Sequence, residues 1–467
     1  MSQKKENIIL LLSLLITTGV ISAGLWWLLS HRQPAKVSDR HPTKIAAPDA
    51  VASDPSTGGE ILFQRELNPE KQAAAKAIAE ENYPKAESLF KQSLSKRHND
   101  PEALIYLHNA QIGNGQAYSI AVPVPIGTEE TSAKEILRGV AQAQSEINQQ
   151  GGINNIPLKV LIVNDNNDSQ TAQQVAQELV KNQNILGVVG HFSSGVTLAT
   201  APIYDSNKLV LISPSSTAIE ISDAGDYIFR TVPSDRFTGS TLAKYFLDRL
   251  KLRKAVIIYN SQSIYSKSLQ ETFTTDVVNN GGEVVMEVDL SENNFNPAQT
   301  LKTAQERGAE ALVLLTDSTI LDKAYLLMQL NNRNLSLLGG DSLYKPQTLE
   351  IVGEKAQGLV LAVPWHALGS GNAEFPAAAH RLWGGDVNWR TAMAYDATQV
   401  LAKGLAQNPS RSGIQAALSE SGFNVSGASG KIKFLKSGDR NAGVQLVEVQ
   451  PGDRSSYGYD FVPLKPY

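Results

Sequence analysis

The chain has no cysteine among its 467 residues. That excludes disulfides, thiol nucleophiles, cysteine-ligated zinc or iron–sulfur centres and a lipidated N-terminal cysteine, while leaving the compartment open. It also lacks an excess of positive charge. Forty-two Lys and Arg stand against 46 Asp and Glu, a net charge of −4, so no broad basic surface is available for nucleic acid. Histidine is scarce, with seven scattered residues and no H-E-x-x-H. No G-x-S-x-G occurs. Ser426-Gly427-Ala428-Ser429-Gly430-Lys431 has Val425 and Ile432 where a phosphate loop needs Gly and Ser/Thr. Asp165-Asn166-Asn167-Asp168-Ser169 opens like a calcium loop but lacks Gly at its sixth position and an acid at its twelfth. These absences leave no catalytic centre, cofactor or metal to expect, and the chain reads as a non-enzyme. A hydrolase such as an amidase would need a nucleophile–base pair that is not found.

What is present begins with an uncharged run of 22 residues, Ile8 to Leu29, ending near Trp26 and Trp27. At about 1.5 Å per residue it spans a bilayer core of roughly 30 Å, and the tryptophans suit its interface. A cleaved signal peptide has a shorter apolar region and a small-residue cleavage site. The run is therefore expected to be an uncleaved anchor (8–29). Lys4 and Lys5 precede it and Arg32, Lys36, Arg40 and Lys44 follow, so charge counting alone leaves its orientation open. The Pro/Ser/Ala-rich stretch 30–60 reads as a flexible linker.

Residues 61–115 change character. Ala73, Ala74, Ala77 and Ile78, then Ala86, Leu89, Phe90 and Leu94, recur at helical spacing. Asn82-Tyr83-Pro84 divides two helices, and Asp100-Pro101 starts a third. Leu67 to Asp100 is 34 residues, the length of a tetratricopeptide unit. The segment resembles one such repeat, departing from it at Ser93 and His98; a plain helical hairpin is the alternative. From Tyr118 onward, strand-length apolar runs alternate with amphipathic stretches. Alternation of this kind predicts an α/β fold with parallel sheets covered by helices on both faces. Eight or nine strands over about 330 residues suit two lobes better than one sheet.

Two polar turns stand out. Gly190-His191-Phe192-Ser193-Ser194-Gly195 follows the strand Ile185–Val189, and Ser213-Pro214-Ser215-Ser216-Thr217 follows Leu209–Ile212. Each is expected to open a helix, presenting backbone N–H groups and hydroxyls at the carboxyl end of a parallel strand. Together they suit a carboxylate. Two ordinary helix caps are the alternative.

These turns, with Gly151-Gly152-Ile153 and Phe229-Arg230-Thr231-Val232-Pro233-Ser234-Asp235, resemble the type I periplasmic binding proteins. The likeness is to the leucine/isoleucine/valine-binding branch of ABC transporter substrate-binding proteins, from about Tyr118 to about Glu448. It implies two parallel-sheet lobes joined by three crossing strands, with a small-molecule ligand, an amino acid or amide-like solute, closed between them, and an ABC permease as partner. It places the domain at 116–455, with lobe one at about 117–236 and 366–425, lobe two at about 237–365 and 431–449, and a tail at 456–467. By resemblance, Ser194, Ser215, Ser216 and Thr217 hold the ligand carboxylate, with Thr217 and the Ser215 carbonyl also near its ammonium. Tyr265 is an aromatic lid and Asp341 pairs with the ammonium. Asp317 stands where relatives often have Tyr, which favours a cationic or hydrogen-bonding ligand, and Ser132 replaces a bulky aromatic. The expected whole is a membrane-anchored, extracytoplasmic solute-binding protein; the alternative is a sensor that signals to a protein partner without transport.

Overall fold

The structure is a computed structural model and describes residues 54–369 and 373–465. The expected anchor at 8–29 lies outside these residues. Among the described residues, no helix is long and apolar enough to cross a membrane.

Three helices come first: α1 (Pro69–Ala79), α2 (Tyr83–Lys96) and α3 (Pro101–Ile112). Each starts by the same device. The side chain of Asn68, Asn82 or Asp100 accepts a hydrogen bond from the backbone N–H three residues on, and a proline fills the first turn. Proline has no N–H to leave unsatisfied there, and its fixed φ is already helical. Ala74 and Ala86 are fully buried where the first two helices pack. Lys71 of α1 is buried and bridges Asp100 at 2.7 Å and Glu102 at 2.8 Å. Glu102 also accepts the backbone N–H of Leu62 at 2.6 Å.

The lobes follow. The first carries β1 (Tyr118–Val124), α4 (Glu130–Gln149), β2 (Leu158–Asn164), α5 (Ser169–Lys181), β3 (Ile185–Val189), α6 (Ser194–Ser206), β4 (Val210–Ser213) and β5 (Ile228–Arg230). Its five strands are all parallel, in the order β2-β1-β3-β4-β5. The chain then enters a second lobe through α7 (Asp235–Lys244), β6 (Lys254–Tyr259), α8 (Ile264–Asn279), β7 (Glu283–Asp289), α9 (Pro297–Glu306), β8 (Ala311–Leu315), α10 (Leu321–Asn331), β9 (Ser336–Gly339) and β10 (Val360–Val363). It continues through α11 (Glu374–Trp383), α12 (Trp389–Gln407), which packs along α4, and α13 (Arg411–Ser419). A small hairpin, β11 (Val425–Gly427) and β12 (Gly430–Ile432), precedes β13 (Gln445–Pro451) and β14 (Tyr459–Pro463). The second sheet runs β14-β13-β10-β9-β8-β6-β7, parallel except at β13 and β14. Its interior strand β8, Ala-Leu-Val-Leu-Leu, is buried throughout, as a strand covered on both faces requires.

Four expectations are corrected. The linker does not reach residue 60: Ser56 is buried and exchanges backbone hydrogen bonds of 2.8 and 3.0 Å with Ile162. Strand β2 is a sheet edge with unpaired groups, and Ser56 satisfies part of it. Residues 431 and 432 do not join the second sheet, because β12 pairs with β11. Nor is the segment after residue 455 merely a tail, since β14 extends the second sheet beside β13. The Ser213–Thr217 turn opens only a 3₁₀ turn, Ile219–Asp223.

The helical segment is fastened to the first lobe. The Asn109 side chain donates to the Val160 carbonyl at 2.7 Å and accepts the Val160 N–H at 3.2 Å. Where the chain passes between lobes near residues 230 and 440, two buried ion pairs hold it, Arg230–Asp439 at 2.6 Å and Arg440–Asp396 at 3.1 Å. Gly438 has φ +74°, and a Cβ there would sit 2.1 Å from the Ile228 carbonyl oxygen, so the crossing needs glycine.

The buried Lys71 makes a direct prediction. Lys71→Met leaves Asp100 and Glu102 without their cation. Unfolding of the full-length chain followed by circular dichroism and limited proteolysis should show about 3–5 kcal/mol lost from the helical segment, with cleavage between residues 54 and 115 preceding cleavage in the lobes. Unchanged protease resistance there would refute the ion triad's structural role.

Candidate ligand-binding site

A parallel sheet brings the carboxyl ends of its strands to one side, and here two such sheets present those ends to one cleft. Ser194 follows β3 and Ser215 follows β4 in the first lobe. Asn260 follows β6, Asp317 follows β8 and Asp341 follows β9 in the second. All five line a single cavity of about 380 Å³. Tyr265, near the start of α8, and Arg390, near the start of α12, also line it.

On the first-lobe wall, the backbone N–H groups of Ser194, Gly195 and Val196 precede the first bond of helix α6, Thr197 N–H to the Ser193 carbonyl at 3.0 Å. Such a terminus carries partial positive charge and suits an anion. The hydroxyls brace the turns against each other. Ser194 Oγ accepts the Ala218 N–H at 3.2 Å, and Ser215 Oγ donates to the Phe192 carbonyl at 2.6 Å. Beneath them, buried His191 lies between Asp165, at 2.6 Å, and the Tyr204 hydroxyl, at 3.1 Å.

On the opposite wall, buried Asp341 accepts a hydrogen bond from the Tyr265 hydroxyl at 2.7 Å. Burial raises the Asp341 carboxyl above its ordinary value, partly offset by the charge of Arg390 and by the Tyr265 hydrogen bond. Burial and the neighbouring Asp341 push the Tyr265 phenol up strongly. Arg390 is 4% exposed and stacks over Trp389 at 4.1 Å and Phe192 at 5.6 Å. The lobes touch beside the cleft, where Lys345 meets Glu129 at 2.9 Å and the Ile219 N–H reaches Ser268 Oγ at 3.0 Å.

Residues 120–454 match the family described as periplasmic binding protein. The chain belongs to the periplasmic binding proteins. It is 29% identical over 189 residues to an amino acid binding protein of Pseudomonas aeruginosa, covering 40% of this chain and 50% of that protein. It is 27% identical over 239 residues to the Leu/Ile/Val-binding protein of Escherichia coli, covering 48% of this chain and 61% of that one. The chain thus spans about half to three-fifths of the curated relatives it matches. Its fold resembles that of an ABC transporter substrate-binding protein from Desulfitobacterium hafniense in complex with Leu, with a TM-score of 0.63 and 22% identity, over 74% of this chain and 100% of that one. These relatives form a non-enzymatic family, in agreement with the expectation that the chain is not an enzyme. The family's description sets such binding domains outside the cytoplasm.

Within this periplasmic binding protein the anticipated residues divide. Ser194, Ser215, Tyr265, Asp317 and Asp341 line the cleft. Ser216 and Thr217 lie behind it. The Ser216 hydroxyl meets Thr197 Oγ1 at 2.8 Å, and the Thr217 carbonyl accepts the Asp235 N–H at 2.8 Å. Asp317 is already engaged, by the Thr319 N–H at 2.7 Å and the Asn260 amide at 2.6 Å. Buried Ser132 meets Glu129 at 3.3 Å and lies outside the lining.

Asn260, Phe192 and Arg390 were not anticipated, nor was a role for Asp235. The visible signal for Arg390 was a lone arginine in the Asn388–Ala397 stretch, beginning an otherwise apolar helix face. Asp235, beside the cleft at the start of α7, is fully buried. Neither of its carboxyl oxygens has a hydrogen-bond partner, nor has the Thr217 hydroxyl. Burial raises its pKa to about 7; the nearby Thr217 and Ser268 hydroxyls offset this only in part, and the charge of Asp341 adds to it.

Folded Asp235 therefore keeps its proton over a range, from about pH 4 to 7, in which the unfolded chain has lost it. Its ionisation destabilises the fold progressively as pH rises through that window. Asp235→Asn should be more stable than the parent by roughly 2–4 kcal/mol at pH 8, with the difference vanishing near pH 4. Thermal unfolding of both chains across pH checks this. A pH-independent difference would show that the carboxyl does not titrate in the fold.

Proposed function

We propose that this chain is a solute-binding protein that captures an amino acid or related small polar solute between its lobes by hinge closure, for delivery to an ABC permease. One observation carries the reading: strand-end polar groups from both sheets meet at one cavity, with the positive end of α6 on one wall and the Asp341 carboxylate on the other. A zwitterion closed between them loses its water, so each of its charges needs a partner inside. The α6 terminus with Ser194 and Ser215 receives the carboxylate, and Asp341 receives the ammonium. Tyr265 orients Asp341 through its hydroxyl, and Asp317 shapes the rim of the cleft through Asn260 and Thr319. The names of the relatives, which bind leucine, isoleucine or valine, support an amino acid. The uncharged run 8–29 supports a membrane tether, and the family's description supports lobes on the outer side.

A sensor that signals to another protein is the second reading. It draws on the helical segment, whose tetratricopeptide-like spacing suits a protein partner and whose attachment to β2 ties it to the binding lobe. Uptake measurements in cells lacking candidate permease genes separate the two, since only the transport reading requires loss of function there.

Calorimetry tests the site, using the tightest binder from a thermal-shift screen of amino acids and small amides. Asp341→Ala should weaken binding by roughly 2–5 kcal/mol, the cost of cutting a buried charge pair on one side. Ser194→Ala should cost about 0.5–1.5 kcal/mol, the worth of one hydrogen bond. Parent-like binding by Asp341→Ala would show that the ligand carries no ammonium there and would replace the amino acid with a neutral solute.

A further inference from the structure

The cleft contains one buried cation that a plain aliphatic amino acid leaves unmatched. Arg390 lines the cavity while almost wholly buried. Its Nε has no hydrogen-bond partner, and its guanidinium makes ring contacts with Trp389 and Phe192 and forms no ion pair among the described residues. The acids that act on it at a distance are Asp341, Glu129 and Glu135. Glu129 is engaged by Lys345 at 2.9 Å, and Glu135 by Arg138 at 2.7 Å. Of these acids, Asp341 alone remains to balance Arg390.

The following step rests on the amino-acid reading above. When a ligand ammonium takes Asp341, Arg390 loses its balancing charge at the moment closure removes water. A buried guanidinium beside a hydrocarbon side chain is costly, whereas a carboxylate meets its fork of donors in matching geometry. The α-carboxylate is already directed to the α6 terminus, so the matching group must come from the side chain. From this charge count we infer that Arg390 is a specificity-determining residue that selects an amino acid with an anionic side chain, an acidic amino acid rather than an aliphatic one. This departs from the branched-chain ligands named for the relatives. Asp317 is not among the acids that act on Arg390, and its two carboxylate oxygens accept hydrogen bonds from the Thr319 N–H and the Asn260 amide of its own lobe.

Calorimetry on the full-length chain with L-glutamate, L-aspartate, L-glutamine and L-leucine tests the assignment. One of the two acids should bind at least about tenfold more tightly than glutamine and leucine. Arg390→Gln should abolish that preference, weakening the acid by about tenfold or more while leaving leucine within about threefold. Arg390→Lys, which keeps the charge, should retain part of it. Glutamine or leucine binding the unaltered chain as tightly as both acids would overturn the inference and leave the amino-acid reading standing. That comparison needs no variant, so it decides the matter even where Arg390→Gln fails to fold. Equal weakening of all four ligands by Arg390→Gln would also overturn it, by showing that the guanidinium grips the shared α-carboxylate. If none of the four binds, the amino-acid reading falls and this inference falls with it.

Discussion

Taking a charge out of water costs several kcal/mol unless an opposite charge or a set of hydrogen bonds replaces the lost solvent. This chain meets that constraint at each of its junctions. Lys71 with Asp100 and Glu102 joins the helices of the N-terminal segment. Arg230–Asp439 and Arg440–Asp396 hold the chain where it passes between lobes. In these places each buried cation has an acid in contact with it.

At the cleft the pairing is left incomplete. Asp341 has the Tyr265 hydroxyl and a cation at a distance. Arg390 has aromatic faces in place of a carboxylate, and the carboxyl oxygens of Asp235 have no hydrogen-bond partner. Groups in this condition favour whatever supplies the missing partner, and on the proposed reading that is the source of binding energy for hinge closure.

The N-terminal helices belong to this framework as well. By pairing with the edge strand β2 through Ser56 and Asn109, they protect a sheet edge that would otherwise offer unpaired groups to other chains. The segment is thus fastened to the first lobe.

Local rules made much of this legible in the residues. The three capped helix starts followed from Asn or Asp ahead of Pro, and the parallel lobes from apolar runs alternating with amphipathic stretches. The strand-end positions of Ser194, Ser215, Asp317 and Asp341 followed from the same alternation, because where a strand ends depends on neighbouring residues. Other features depend on residues far apart in the chain. Nothing near Ser56 shows that it pairs with Ile162. Ser216 and Thr217 look equivalent to Ser215 in sequence, yet packing against Thr197 and Asp235 draws them away from the cavity. Arg390 is the clearest case. A helix-start arginine reads as a solvated charge until the fold packs α12 along α4, places Phe192 and Trp389 against the guanidinium and removes its water. The sequence by itself determined the elements and the polarity of their ends, since both are set by contacts within a few residues. Only the tertiary structure decided which of those polar ends share a cavity and which charges there lack a partner, because burial and pairing are properties of residues brought together from across the chain.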